Sequence, residues 1–143
     1  MTSFSTWQVW ALLSAIFAAC TAIFAKVGVQ NVSSDYATFI RTIVILGCLT
    51  IMLVATGQFA SAGSISAKSC LFLALSGVAT GASWICYFRA LKLGEASQVA
   101  PIDKLSVVLV AIFGFIFLGE KLSPLNWTGI VLIGLGAVLV GFK

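Results

Sequence analysis

Five long apolar runs, at residues 7–27, 36–55, 70–91, 96–118 and 125–142, fill nearly the whole chain, with short polar breaks between them. Each has about the ~20 residues that a helix needs to cross ~30 Å of hydrocarbon. Lipid offers no water to satisfy backbone N–H and C=O groups, so a crossing segment must be a helix or part of a closed barrel. The runs lack the alternation of barrel strands. The pattern therefore predicts an all-α integral membrane protein, five transmembrane helices in one domain over residues 1–143.

Composition sharpens this picture. Hydrophobic residues make up 61% of the 143 and charged residues 8%, with a mean hydropathy of +1.15. The longest break, residues 57–69, is rich in Gly, Ser and Ala and too short for a binding module. Met1 to Thr6 carries no positive charge of the kind that opens a signal peptide, and the first run is longer than a usual signal core, so it is expected to stay as a helix. Cys20, Cys48, Cys70 and Cys86 stand in or at the ends of apolar runs without metal-ligand spacing, and there is no His. Neither a metal site nor a disulfide framework is expected, and the cysteines read as small packing residues. No cofactor is implied. Without His or any nucleophile–base arrangement, enzyme activity is not expected.

The net charge of +4 includes no basic run that would suit nucleic acid, and topology explains it better. With five crossings, one side of the membrane receives Lys68 and Lys121. The other receives Lys26, Arg41, Arg89, Lys92 and Lys143. The positive-inside rule then favours an outside N-terminus and an inside C-terminus. The excess is blurred because Lys26, Arg41 and Arg89 lie inside apolar runs, so dual insertion stays open.

Ionisable groups at bilayer depth cost roughly 2.5–3.5 kcal/mol on insertion scales and are functional candidates for that reason. Asp103 and Lys104 follow Pro101 in the fourth run. If that helix starts at residue 96, Asp103 lies about 10 Å along it, beside a proline that leaves a carbonyl unpaired. Such a break at membrane depth suits a substrate or ion site. In the rival reading Pro101 opens the helix and Asp103 compensates its dipole at the surface. Adjacent residues point about 100° apart, so Asp103 and Lys104 are not expected to face one cavity together. Lys26, Arg41 and Arg89 on the same side would complete a positively charged vestibule, unless they snorkel to headgroups. Trp84 and Tyr87, three apart on the third helix, either wall a cavity or pack against a neighbour.

Small residues mark two helix faces. Gly77 and Gly81 form a GxxxG pair on the third helix, and Gly134, Ala137 and Gly141 share a face of the fifth. Close helix approach in lipid needs such residues, either as a dimer seam or within one bundle. Ser123 before Pro124 reads as the cap and first residue of the last helix.

The stretch Tyr87-Phe88-Arg89-Ala90-Leu91-Lys92-Leu93-Gly94-Glu95-Ala96-Ser97-Gln98-Val99-Ala100-Pro101 resembles the junction of the third and fourth helices in EamA-type proteins of the drug/metabolite transporter superfamily. Phe117-Leu118-Gly119-Glu120-Lys121-Leu122-Ser123, with Asn126-Trp127-Thr128-Gly129 and Gly134 and Gly136, is similar to that family's C-terminal signature. Phe24-Ala25-Lys26-Val27-Gly28 and Arg41 match its first and second helices. The resemblance covers essentially the whole chain. It implies alternating-access export or exchange of a small metabolite across the cytoplasmic membrane. Larger members carry two inverted five-helix repeats where this chain has one, which implies a homodimer or pairing with a homologue. The first-helix Glu of the small multidrug relatives is missing, leaving Asp103 as the only deep acid. On this reading Asp103 contacts an ion or substrate amine, Arg41 and Lys104 contact anionic groups, Trp84 and Tyr87 shape the path, and Pro101 lets the helix rock. The alternative is a membrane scaffold or accessory subunit whose glycine faces bind partner helices.

Overall fold

A computed structural model of the chain describes residues 5–59 and 65–141. These residues are helical without strands. The helices are α1 (Thr6–Gly28), α2 (Ser34–Ala55), α3 (Ala67–Leu93), α4 (Ala96–Asp103), α5 (Ser106–Phe113) and α6 (Pro124–Gly141), with a π-helical turn at Gly114–Leu118 after α5. The fourth span, Ala96–Leu118, is thus built from α4, α5 and the π turn, and five spans are long and apolar enough to cross a membrane. Large apolar side chains point outward along all of them: Phe24 is 74% exposed, Phe117 77% and Leu139 77%. Such a surface suits lipid or partner helices rather than water.

The helix ends follow local chemistry. Ser33 Oγ accepts from Tyr36 N at 3.3 Å and starts α2. Ser66 Oγ accepts from Ser69 N at 3.1 Å, so α3 begins at Ala67, three residues before the apolar run, and Lys68 falls in its first turn. Ser123 Oγ accepts from Asn126 N at 3.2 Å and Pro124 opens α6, as the sequence predicts. Five threonine hydroxyls inside the spans bond along their own helices: Thr38, Thr42, Thr50, Thr80 and Thr128 each donate to the carbonyl four residues back, at 2.8–2.9 Å. That local bond removes the cost of an unpaired polar group in hydrocarbon.

The chain divides into two compact units. One consists of residues 27–92 and holds α2 and α3. Asp35 at the start of α2 meets Arg89 near the end of α3, and Arg41 one and a half turns on meets Trp84. The two helices therefore run antiparallel. Thr38, Phe88 and Leu91 are buried.

The other unit consists of residues 1–26 and 93–143 and holds α1, α4, α5 and α6. Here α6 lies antiparallel to α4 and α5. A methyl group at Gly141 would collide with Ile102, one at Gly134 would stand 3.2 Å from Val108 Cγ2, and Trp127 meets Phe115 edge-on at 6.2 Å. Gly134, Ala137 and Gly141, read from the sequence as one face, lie here against the fourth span, with Ala137 6% exposed. At Gly77 and Gly81, by contrast, an added methyl would meet nothing within 4 Å. Gly119 takes a left-handed backbone, φ +66°, and ends the π turn, a conformation that a side chain disfavours. Gly114 is buried beneath Glu120, whose Oε2 would lie 2.7 Å from a methyl there.

Candidate functional site

Within the unit formed by α2 and α3, three polar contacts are stacked along the helix pair. Nearest the α2 N-terminus, Lys92 Nζ donates to Val32 O at 2.9 Å. Next, Arg89 grips Asp35 with two bonds, Nε to Oδ1 at 3.1 Å and Nη2 to Oδ2 at 2.8 Å. About 9 Å further along α2, the Arg41 guanidinium carbon sits 4.3 Å from the centroid of the Trp84 ring and 5.4 Å from that of Phe88. Tyr87, half-buried, meets Phe88 edge-on at 6.4 Å.

These positions follow from helix periodicity. Ala37, Thr38, Arg41 and Ile45 recur on one face of α2, and Gly81, Trp84, Phe88 and Leu91 on one face of α3; all are buried or half-buried. The structure thus brings Arg41 and Trp84 together, and gives Arg89 a carboxylate where headgroup snorkelling was the alternative. The sequence reading passed over Asp35 and Phe88. Asp35 occupies the first turn of a helix whose antiparallel neighbour ends in Arg89. Phe88 is four residues from Trp84 and so on the same face.

In the other unit, Lys26 Nζ in the last turn of α1 donates to Gly94 O at 2.7 Å. That carbonyl lies in the polar break before α4, so Lys26 ties α1 to the entry of the fourth span. Pro101 lies inside α4, which starts at Ala96 after Glu95. The rival placement, with Pro101 as first helical residue, is therefore not the one adopted. Pro101 has no N–H to offer Ser97 O. The interruption itself comes after Asp103 and is a tightening rather than an unwinding. Lys104 N bonds Pro101 O at 3.0 Å, Leu105 N bonds Ile102 O at 3.0 Å, Val107 N bonds Lys104 O at 3.0 Å and Val108 N bonds Leu105 O at 3.0 Å. These three-residue bonds, alongside four-residue bonds from Lys104 N to Ala100 O and Leu109 N to Leu105 O at 3.3 Å, make a 3₁₀-like turn at Lys104–Leu105 between α4 and α5. Such tightening in mid-helix often marks a hinge. Asp103 flanks it, 35% exposed, with its Oδ2 3.3 Å from Lys104 Nζ. The two side chains meet although their Cα–Cβ directions diverge, because the long Lys chain curls back.

Five apolar spans with charged side chains retained inside them define a multi-pass membrane protein. The chain belongs to the EamA-like transporter family, whose model matches residues 5–142. It is 61% identical over 135 residues to a Sinorhizobium protein named "Uncharacterized transporter in cobO 3′region", covering 94% of this chain and 96% of that one. No solved structure matches. Family and relative alike point to a transporter rather than an enzyme.

Proposed function

We propose that this membrane transporter moves a small polar or amphipathic metabolite by alternating access, as export or exchange, with two chains or a chain and a homologue working as a pair in the cytoplasmic membrane. The observation that carries this reading is the fourth span. An ionised pair, Asp103 and Lys104, stands at a 3₁₀ turn inside a segment that otherwise reads as continuous oil. Charge at that depth is costly and a helix joint there can flex between two states. Pairing is supported by Gly77, which is exposed and has open space where a side chain would stand, because helices in lipid associate through small residues. The excess of basic residues on one set of loops supports an outside N-terminus and inside C-terminus.

The test is flux. Purified protein in liposomes loaded with a metabolite extract should release a restricted set of compounds, read by mass spectrometry against protein-free vesicles. Asp103→Asn, which keeps the size and removes the charge, should abolish that release while expression and elution volume are unchanged. Undiminished release by Asp103→Asn would remove Asp103 from the mechanism, and no release by the wild-type chain would leave the scaffold reading in its place.

A further inference from the structure

Arg41 is a charge inside a membrane-crossing helix with no ion pair among the described residues. It lies seven residues into α2, about 10 Å along a membrane-crossing helix, and is half-buried. Between residues 27 and 92 the only acid is Asp35, and both of its oxygens are held by Arg89. Among the described residues the ion pairs are Asp35–Arg89 and Asp103–Lys104, and neither includes Arg41. Arg41 instead meets ring faces, Trp84 at 4.3 Å and Phe88 at 5.4 Å, and interacts electrostatically with Tyr87. Stacking on a ring satisfies the face of a guanidinium and fixes its plane. A ring face offers no oxygen to the in-plane N–H fork, and that fork matches the two oxygens of a carboxylate or phosphate.

We infer that Arg41, seated on Trp84 and Phe88, is an oxyanion-binding subsite, and that the transported solute carries a carboxylate or phosphate group which docks there. This rests on the transporter reading and adds the substrate class to it. A bound oxyanion supplies the counter-charge that the α2–α3 unit lacks, so loading the solute lowers the cost of holding Arg41 at depth. The Arg89–Asp35 pair keeps the one nearby carboxylate from filling the subsite internally. The same chemistry could be met by a lipid headgroup phosphate. We assign it to a soluble solute, and the nanodisc measurement below separates the two sources.

Tryptophan fluorescence reads the subsite directly. Trp7→Phe, Trp10→Phe and Trp127→Phe leave Trp84 as the single tryptophan. In dodecyl maltoside, and separately in phosphatidylcholine nanodiscs, iodide should quench Trp84 more than neutral acrylamide does, and succinate or inorganic phosphate should relieve the iodide quenching saturably. Arg41→Gln should weaken the succinate effect about tenfold or more, the worth of one hydrogen bond to a charged group, with acrylamide quenching unchanged. Arg41→Lys, which keeps the charge without the fork, should fall between and guards against a misfolded Arg41→Gln. Saturable relief in both environments supports the inference. Relief in maltoside but not in nanodiscs assigns the oxyanion to lipid and overturns the substrate class. No saturable relief, or relief equal in wild type and Arg41→Gln, overturns the subsite. Because the readout is binding, its success alongside absent flux would refute transport and not the subsite; flux without anion binding would do the reverse.

Discussion

The α2–α3 unit and the contact of α6 with the fourth span join helices by different means. Between α2 and α3 the joining contacts are polar and aromatic: Asp35 to Arg89, Lys92 to Val32 O, Arg41 to Trp84 and Phe88. Along α6 they are steric: Gly134 against Val108, Gly141 against Ile102, and Ala137 buried between. Lipid tails are as apolar as leucine, so exclusion from solvent cannot hold either pair together. One uses side chains that have better partners in each other than in oil. The other uses absent side chains that let backbones approach. A contact built on missing atoms tolerates nothing larger, whereas a contact built on long polar side chains can open and re-form.

The largest effect should come from filling the steric contact. Gly134→Leu must displace Val108 in a packed seam, and overpacking of this kind costs about 1–3 kcal/mol. Unfolding in mixed micelles followed by circular dichroism should register that loss. Gly77→Leu is the control that sharpens the contrast, since nothing stands within 4 Å of its added methyl. It should leave the stability of the single chain unchanged, and if that face carries the pair it should shift the elution volume toward one chain. Equal destabilisation by the two substitutions would erase the distinction between the seams.

Next in size is Pro101→Ala. It restores an N–H to Ser97 O inside α4, a gain of about 0.5–1.5 kcal/mol for one hydrogen bond. The 3₁₀ bonds after Asp103 should then relax toward regular α-helix, so that Pro101→Ala is more stable but slower in flux. A stabilised variant with undiminished flux would show that the joint serves folding alone.

How much of this was readable beforehand follows from the range of each interaction. The five spans and the Ser123–Pro124 helix start were legible, because length, hydropathy and caps are local properties. The third helix starts earlier than its apolar run because Ser66, not hydrophobicity, sets its end. Pro101 announced a weak point, but its place, one turn on at Lys104–Leu105, depends on how the freed backbone re-bonds. Asp35 and Arg89 are 54 residues apart, and only the antiparallel pairing of α2 with α3 connects them. Phe88 was within reach of the three-and-four spacing that marked Trp84 and Tyr87. Lys143 and Phe142 lie outside the described residues, as do residues 60–64 of the longest break.

The smallest effect should come from the most visible ion pair. Arg89 and Asp35 bond with bidentate geometry, yet their side chains are 59% and 57% exposed, and they sit at helix ends. Charge pairs open to water are screened by salt and add little to stability. Asp35→Asn should therefore leave the unfolding midpoint of the chain almost unchanged, and raising the salt concentration should shrink even that difference. Its effect should instead fall on Arg41. With Asp35 neutral, Arg89 becomes a second cation about 9 Å along the helix pair from Arg41, and the attraction of the sole Trp84 reporter for iodide should increase, most clearly at low ionic strength. A stability loss as large as that of Gly134→Leu, with no change in iodide quenching, would make the pair a structural clamp. The contrast between a polar helix contact that can open and a steric one that cannot would then fail on its strongest polar example.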